Sequence, residues 1–175
     1  MFSTILIILV ALVAAILIYA ATRPNDFVTT RTATIKAPPE AIFPMINDFN
    51  RWPTWSPYEK LDPNMKRTLS GAASGKGAAY AWEGNGKAGK GRMEIVNSVP
   101  SSQVALKLDF EKPFRANNSV DFTLTPSGDT TAVSWAMRGS RPFIAKLMGL
   151  FMNFDTLIGR DFEVGLANLK RNTEA

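Results

Sequence analysis

The chain contains no cysteine and no histidine. The first absence excludes disulfides, thiolate metal sites and a cysteine nucleophile. The second excludes a Ser-His-Asp triad, imidazole-ligated metals and the usual general base near neutral pH. Any reaction would fall to carboxylates, Lys, Tyr or hydroxyls. No catalytic residue, metal ligand or cofactor site is assigned on this basis. Gly84 to Gly91 is rich in glycine but joins two strands and opens no helix, so it is not a dinucleotide-type phosphate loop. Charge is also missing locally: Met1 to Thr22 carries no charged side chain.

That uncharged stretch is almost wholly aliphatic from Ile5 to Ala21, about the length needed to cross a bilayer as a helix. A signal peptide is the competing reading. It should start with Lys or Arg and end on a small-x-small site. No basic residue precedes the run, and Ile18 and Ala20 make only a passable cleavage site. The preferred reading is a retained single-pass anchor over residues 1–22. Arg23, Arg31 and Lys36 follow it, so the positive-inside rule places the domain in the cytoplasm. Residues 23–26, with Pro24, form a linker, and residues 27–175 form one domain.

Hydrophobic residues make up 46% of the chain, enough for a packed core. The net charge of +5 is concentrated in one place. Between Lys66 and Arg92 lie six basic residues against Glu83 alone, and six minus one equals the whole excess. A solvated face is the plain explanation, and attraction to an anionic membrane surface is the functional one. No recognised motif accompanies the charge, so nucleic acid is not an expected partner.

Phe27 to Ile35 is rich in Thr and Val and predicts a strand. Pro38 and Pro39 lead into a short helix, Ala41 to Ile46. Asp48 to Pro63 has no periodicity. From Lys66 onward apolar and polar residues alternate between short turns: Tyr80 and Trp82; Met93 and Ile95; Val104 to Phe110; Val120 to Leu124; Val133 to Met137. This period of two predicts an antiparallel meander with one dry face. From Pro142 to Arg171 apolar residues recur in steps of three and four. A continuous helix there would be about 45 Å long, with Ser140 as N-cap. Gly149, Gly159 and Gly165 interrupt the stripe and predict bends or close backbone approaches. The fold class is α+β: a curved antiparallel sheet wrapped around a long C-terminal helix, preceded by one transmembrane helix.

A dry face covered by a single helix predicts a cavity, and glycines and Met on that helix are expected to leave it room. Trp52, Trp55, Tyr80, Trp82 and Trp135 are candidate lining residues, because each offers an apolar body and one hydrogen bond. Trp52 and Trp55 lie in the aperiodic segment and are expected at the mouth. Phe151 and Phe154 are the candidates from the helix. Asn118 shares the dry face with Val120 and Phe122. An amide there must find a partner or cost about 1–3 kcal/mol, which makes it a candidate for orienting a ligand. Glu83 would be an acid or base only if it faced the cavity, and an exposed turn is the simpler reading. Asp109, Glu111 and Asp121 fall on outward faces, so no paired inward carboxylates are expected.

The order of elements resembles the SRPBCC superfamily (START and Bet v 1-like, helix-grip), and within it the bacterial polyketide cyclase/dehydrase and lipid-transport branch. The resemblance rests on Ile35-Lys36-Ala37-Pro38-Pro39-Glu40, Asn47-Asp48-Phe49, Trp52-Pro53-Thr54-Trp55-Ser56-Pro57, Gly75 to Gly84 and Phe162 to Lys170. It covers Phe27 to Lys170. It implies a cavity that accepts apolar molecules, and it spans carriers, cyclases and proteins of other roles. The first functional expectation is a membrane-anchored binding module for a hydrophobic small molecule or lipid, without catalysis. A cyclase- or aromatase-like enzyme in the same cavity is the alternative. An interaction or stress-response protein without ligand is the third. The expected partners are that ligand and the membrane, contacted through the N-terminal helix and the basic stretch from Lys66 to Arg92.

Overall fold

A computed structural model describes residues 2–174. The N-terminal apolar run is one helix, α1 (Phe2–Ala21). Strand β1 (Asp26–Ile35) follows, then α2 (Pro39–Asn47) and two 3₁₀ helices, Phe49–Thr54 and Pro57–Lys60. Six further strands come next: β2 (Lys66–Gly71), β3 (Ala78–Glu83), β4 (Lys90–Val99), β5 (Gln103–Lys112), β6 (Ala116–Ser127) and β7 (Thr130–Ser140). Two helices close the chain, α3 (Phe143–Met148) and α4 (Phe154–Thr173).

The sheet is seven-stranded, fully antiparallel and ordered β1-β7-β6-β5-β4-β3-β2. The alternation seen in the sequence sets its faces. Val104, Leu106 and Leu108 of β5, Val120, Phe122 and Leu124 of β6, and Val133, Trp135 and Met137 of β7 are all buried. Register brings Leu106 opposite Val120 and Phe122 opposite Trp135, so the inner faces of adjacent strands form one continuous apolar layer. A one-residue slip would turn that whole layer to solvent, which is why the pattern specifies the pairing.

The cover over this layer is shared by several elements. The indole N–H of Trp52 donates to Ile46 O at 3.0 Å and that of Trp55 to Met45 O at 2.8 Å. Both carbonyls belong to the last turn of α2, which has no helical donors of its own. Burying the two indoles therefore folds the aperiodic segment back onto α2, and this unit covers one end of the sheet. Helix α4 covers the other flank. Arg31 of β1 holds its first turns, with ion pairs to Asp155 at 3.1 Å and Glu163 at 2.9 Å. The hydrogen bond from Arg31 holds the Asp155 carboxyl below its usual range.

The C-terminal helix is not continuous. The chain leaves helical geometry after Gly149, and α4 starts afresh at Asn153, whose Oδ1 accepts from Thr156 N at 3.1 Å. A side-chain N-cap satisfies donors that a continuous helix would have paired internally. Ser140 closes β7, and Pro142 takes the capping position of α3. Nor do the glycines leave room. The Arg31 guanidinium packs on Gly159, and the Trp135 ring lies 2.7 Å from where a Cβ of Gly165 would sit. They permit close approach, and the open space lies elsewhere.

Candidate functional site

The space lies between the inner face of the sheet and α4, at the end of the sheet where β1 begins and β7 finishes. It is a cavity of about 400 Å³. Its floor includes Tyr80 and Trp82 of β3, Asn118 and Val120 of β6, and Trp135 of β7. Leu157, Ile158, Asp161 and Phe162 of α4 form the opposite wall, and Ser56, Tyr58 and Glu59 close the inner end. Apolar groups dominate, and the size falls in the range of small-ligand pockets.

Five of the eight proposed site residues are brought together: Trp52, Tyr80, Trp82, Asn118 and Trp135. Three are not. Trp55 is 1% exposed and sits behind the wall, edge-on to Phe122 and Trp135. Trp52 is also buried rather than at the mouth, because both indoles are drawn in by the α2 carbonyls. Phe151 is 80% exposed, and Phe154 joins it at a separate surface groove beside Arg141. The break after Gly149 turns Phe151 away from the wall it would have faced on a continuous helix. Glu83 is exposed, does not line the cavity, and pairs with Lys90 at 3.5 Å. The exposed lining residues, which form the mouth, are Leu61, Lys87, Pro113, Phe114 and Leu157.

Two carboxylates do face inward, contrary to the expectation from strand alternation. Glu59 is buried; it accepts from the Tyr80 hydroxyl at 2.7 Å and from Arg67 Nε at 2.6 Å. Arg67 also donates to the Glu59 carbonyl at 2.9 Å. Burial and the neighbouring carboxylate push the Tyr80 phenol up, so it stays protonated and donates to Glu59. Asp161 lines the opposite wall, and desolvation raises its carboxyl pKa. Burial, followed by the charge on Asp161, raises Tyr58 too.

Asp161 had a signal in the sequence, because it stands four residues after Leu157 and three after Ile158, within the apolar stripe. Glu59 had none, since its segment has no period from which a face could be read. A carboxyl whose pKa rises on folding favours the folded state fully below its unfolded pKa, and that contribution is lost as pH rises through the folded value. Asp161→Asn should therefore melt higher than the parent at pH 7. The gain should vanish at about pH 3, below the unperturbed Asp pKa of about 3.9. Thermal scans of the full chain in mild detergent would show it, and a gain independent of pH would contradict the assignment.

Three buried side-chain polar atoms lack a protein partner among the described residues: Ser56 Oγ, Asn118 Oδ1 and Trp135 Nε1. All three residues line this cavity. Trp135 is held rigidly, stacked on Phe162 with ring centroids 4.1 Å apart.

The antiparallel meander gripping a C-terminal helix, with an apolar cavity between them, defines a helix-grip protein of the SRPBCC type. The chain belongs to the polyketide cyclase/dehydrase and lipid transport family, which it matches over residues 26–174. Among solved structures it is similar to protein CV1439 from Chromobacterium violaceum, with a TM-score of 0.60 at 16% identity over 87% of this chain and 99% of that one. It is similar to CalU16 from Micromonospora echinospora, with 0.55 at 15% identity over 85% and 84%. A Thermobifida fusca protein gives 0.62 at 20% identity over 83% and 92%. Identities this low speak to the fold alone. No protein of curated function matches the chain.

Proposed function

We propose that this protein is a membrane-anchored binding module for a hydrophobic small molecule or lipid that carries a polar group. One observation carries the reading: every unpartnered buried side-chain polar atom among the described residues sits on a residue that lines a single apolar cavity. Leaving such atoms unpaired costs about 1–3 kcal/mol each, a cost that a ligand would offset once these side chains turn to meet its polar groups. The apolar walls would take the rest of the ligand. Helix α1 supports the anchor. Its side chains are exposed on all sides except at Ala20 and part of Ile16. A helix apolar all round and not packed into a core suits a membrane. Arg23, just beyond it, lies over the Tyr19 ring and donates to its hydroxyl at 2.6 Å, and this basic flank supports a cytoplasmic domain.

Titration of the full chain in mild detergent with a fluorescent fatty acid and with a polycyclic aromatic probe tests the reading. Saturable one-to-one uptake of at least one probe is expected. Asn118→Leu should change which probe is preferred more than it changes the melting temperature. If neither probe binds and native mass spectrometry of the extracted protein shows no retained small molecule, the reading is wrong.

The inward carboxylates favour a second reading, a cyclase-like enzyme in the same cavity. Glu59 is committed to Tyr80 and Arg67, so Asp161 is the group free to exchange a proton with a ligand. Conversion of a bound poly-β-ketone that stops in Asp161→Asn while binding persists would select this reading over the carrier.

A further inference from the structure

The mouth of the cavity and the end of α1 lie at the same edge of the fold. Strand β1 starts there at Asp26, directly after the helix and its short tether, and Asp26 is opposite Ser140, the end of β7. The β5–β6 turn, with Phe114, lies at this end, since Phe110 pairs with Ala116 and Asn118 with Gly139. The β3–β4 loop, with Lys87, lies there too, because Glu83 pairs with Lys90 and Lys90 with Lys112.

Helix α3 packs against α1 at this end. Ala20 is fully buried there, and Lys146 of α3 donates to Asn25 Oδ1 of the tether at 2.6 Å. Yet the rest of α3 and the turn after it is unusually bare. Phe143, Ile144, Met148, Phe151 and Met152 are all exposed, and Phe114 is 67% exposed.

The charge at this end has one dominant sign. Arg23, Lys66, Lys87, Lys112, Arg115 and Arg141 stand at element ends or in loops here, and none makes an ion pair among the described residues. The acids nearby are mostly occupied: Glu83 and Glu111 share Lys90, and Asp155 takes Arg31. Asp26 and Asp62 remain, and Asp62 accepts from Asn85 N of the β3–β4 loop at 2.7 Å. The basic stretch from Lys66 to Arg92 does not itself form one face. Arg67 and Arg92 pair with Glu59 and Glu94, and Lys76 lies in the β2–β3 turn at the far end.

We infer that this end of the fold is a bilayer-docking face, in which α3, the turn after it and the Phe114 turn sit in the headgroup boundary of an anionic membrane. The cavity then opens onto the lipid surface and exchanges its ligand there without a passage through bulk water. The inference rests on the anchored-carrier reading and commits to the membrane that α1 enters as the occupant of the apolar patch. A helix end cannot leave that membrane's surface when only four residues tether it to β1, so α3 is held where its exposed Phe and Met side chains meet acyl chains. The unpaired cations around them match anionic headgroups.

The chain has no cysteine, so single cysteines can report depth. The full chain carrying Ile8→Cys, Phe114→Cys, Phe151→Cys or Ser102→Cys, labelled with an environment-sensitive fluorophore, is placed in vesicles of phosphatidylcholine and phosphatidylglycerol with doxyl-labelled lipid. Ser102 lies in the β4–β5 turn at the opposite end. Quenching at 114 and 151 should approach that at 8 and exceed that at 102 by about tenfold, as for groups about 5–10 Å into the boundary. It should be weaker in phosphatidylcholine alone and in high salt. Quenching at 8 with 114 and 151 matching 102 overturns the docking face and leaves anchor and carrier standing. No quenching at 8 overturns anchor and docking together, while probe binding in detergent still judges the cavity separately. Hydrogen exchange of the unlabelled chain in the same vesicles guards against damage by the labels. Amides in 143–152 should exchange more slowly in vesicles than in detergent, and equal rates would overturn the inference.

Discussion

Replacing Glu59 by Ala is expected to destabilise the protein by about 3 kcal/mol, roughly 6–12 °C in melting temperature for a chain of this size. The carboxylate is the shared acceptor for Tyr80 and Arg67. Its removal leaves the buried Tyr80 hydroxyl without a partner, at a cost of about 1–3 kcal/mol. It also strips the charge that compensates Arg67. Arg67 is one-third exposed and can recover water, so the loss should stay at the lower end of what breaking a buried pair costs. Glu59→Gln keeps an acceptor of the same shape and should lose about 1 kcal/mol. Melting of both variants in detergent decides between a structural triad and incidental contact. Equal melting of parent and Glu59→Ala would sink the assignment.

Blocking the cavity should weaken uptake without unfolding the protein. Val120 lines it from the β6 floor and Ile158 from the α4 wall. Val120→Trp and Ile158→Trp approach the same space from opposite sides. In a filled core either would force neighbours off their rotamers, at about 1–3 kcal/mol. In a cavity of about 400 Å³ the indole has room, and stability should hold or rise. Probe affinity should fall by at least about tenfold, equal to about 1.4 kcal/mol of binding. Loss of stability with binding retained would show that the space is not where the ligand sits.

What the sequence disclosed follows from how strongly each segment is constrained. β5, β6 and β7 were legible because one wet face and one dry face impose a period of two, and Asn118 was found by that period. Trp82 and Trp135 followed for the same reason. The Trp/Pro segment has no period, so its fold is set by tertiary bonds from Trp52 and Trp55 to Met45 and Ile46. Without that period the sequence alone gives no face for Trp55 or Glu59, and both prove to be buried. The C-terminal stripe runs on in phase across Gly149, so periodicity alone could not reveal a new helix start at Asn153. Periodicity therefore reads Phe151 and Phe154 as the wall, whereas Ile158, Asp161 and Phe162 form it.

The pairing of the first strand with the last has a mechanical consequence. α1 is tethered to the N-terminal end of β1, and β1 is bonded along its whole length to β7, from Asp26 opposite Ser140 to Ile35 opposite Thr131. A pull on α1 therefore reaches the domain through the start of this strand. It loads the ladder in shear, with every rung sharing the force, and does not peel the rungs one by one. The Arg31 ion pairs to Asp155 and Glu163 add a second attachment from the same strand to α4. A pull on α1 is thus resisted by β7 and α4, two elements that wall the cavity.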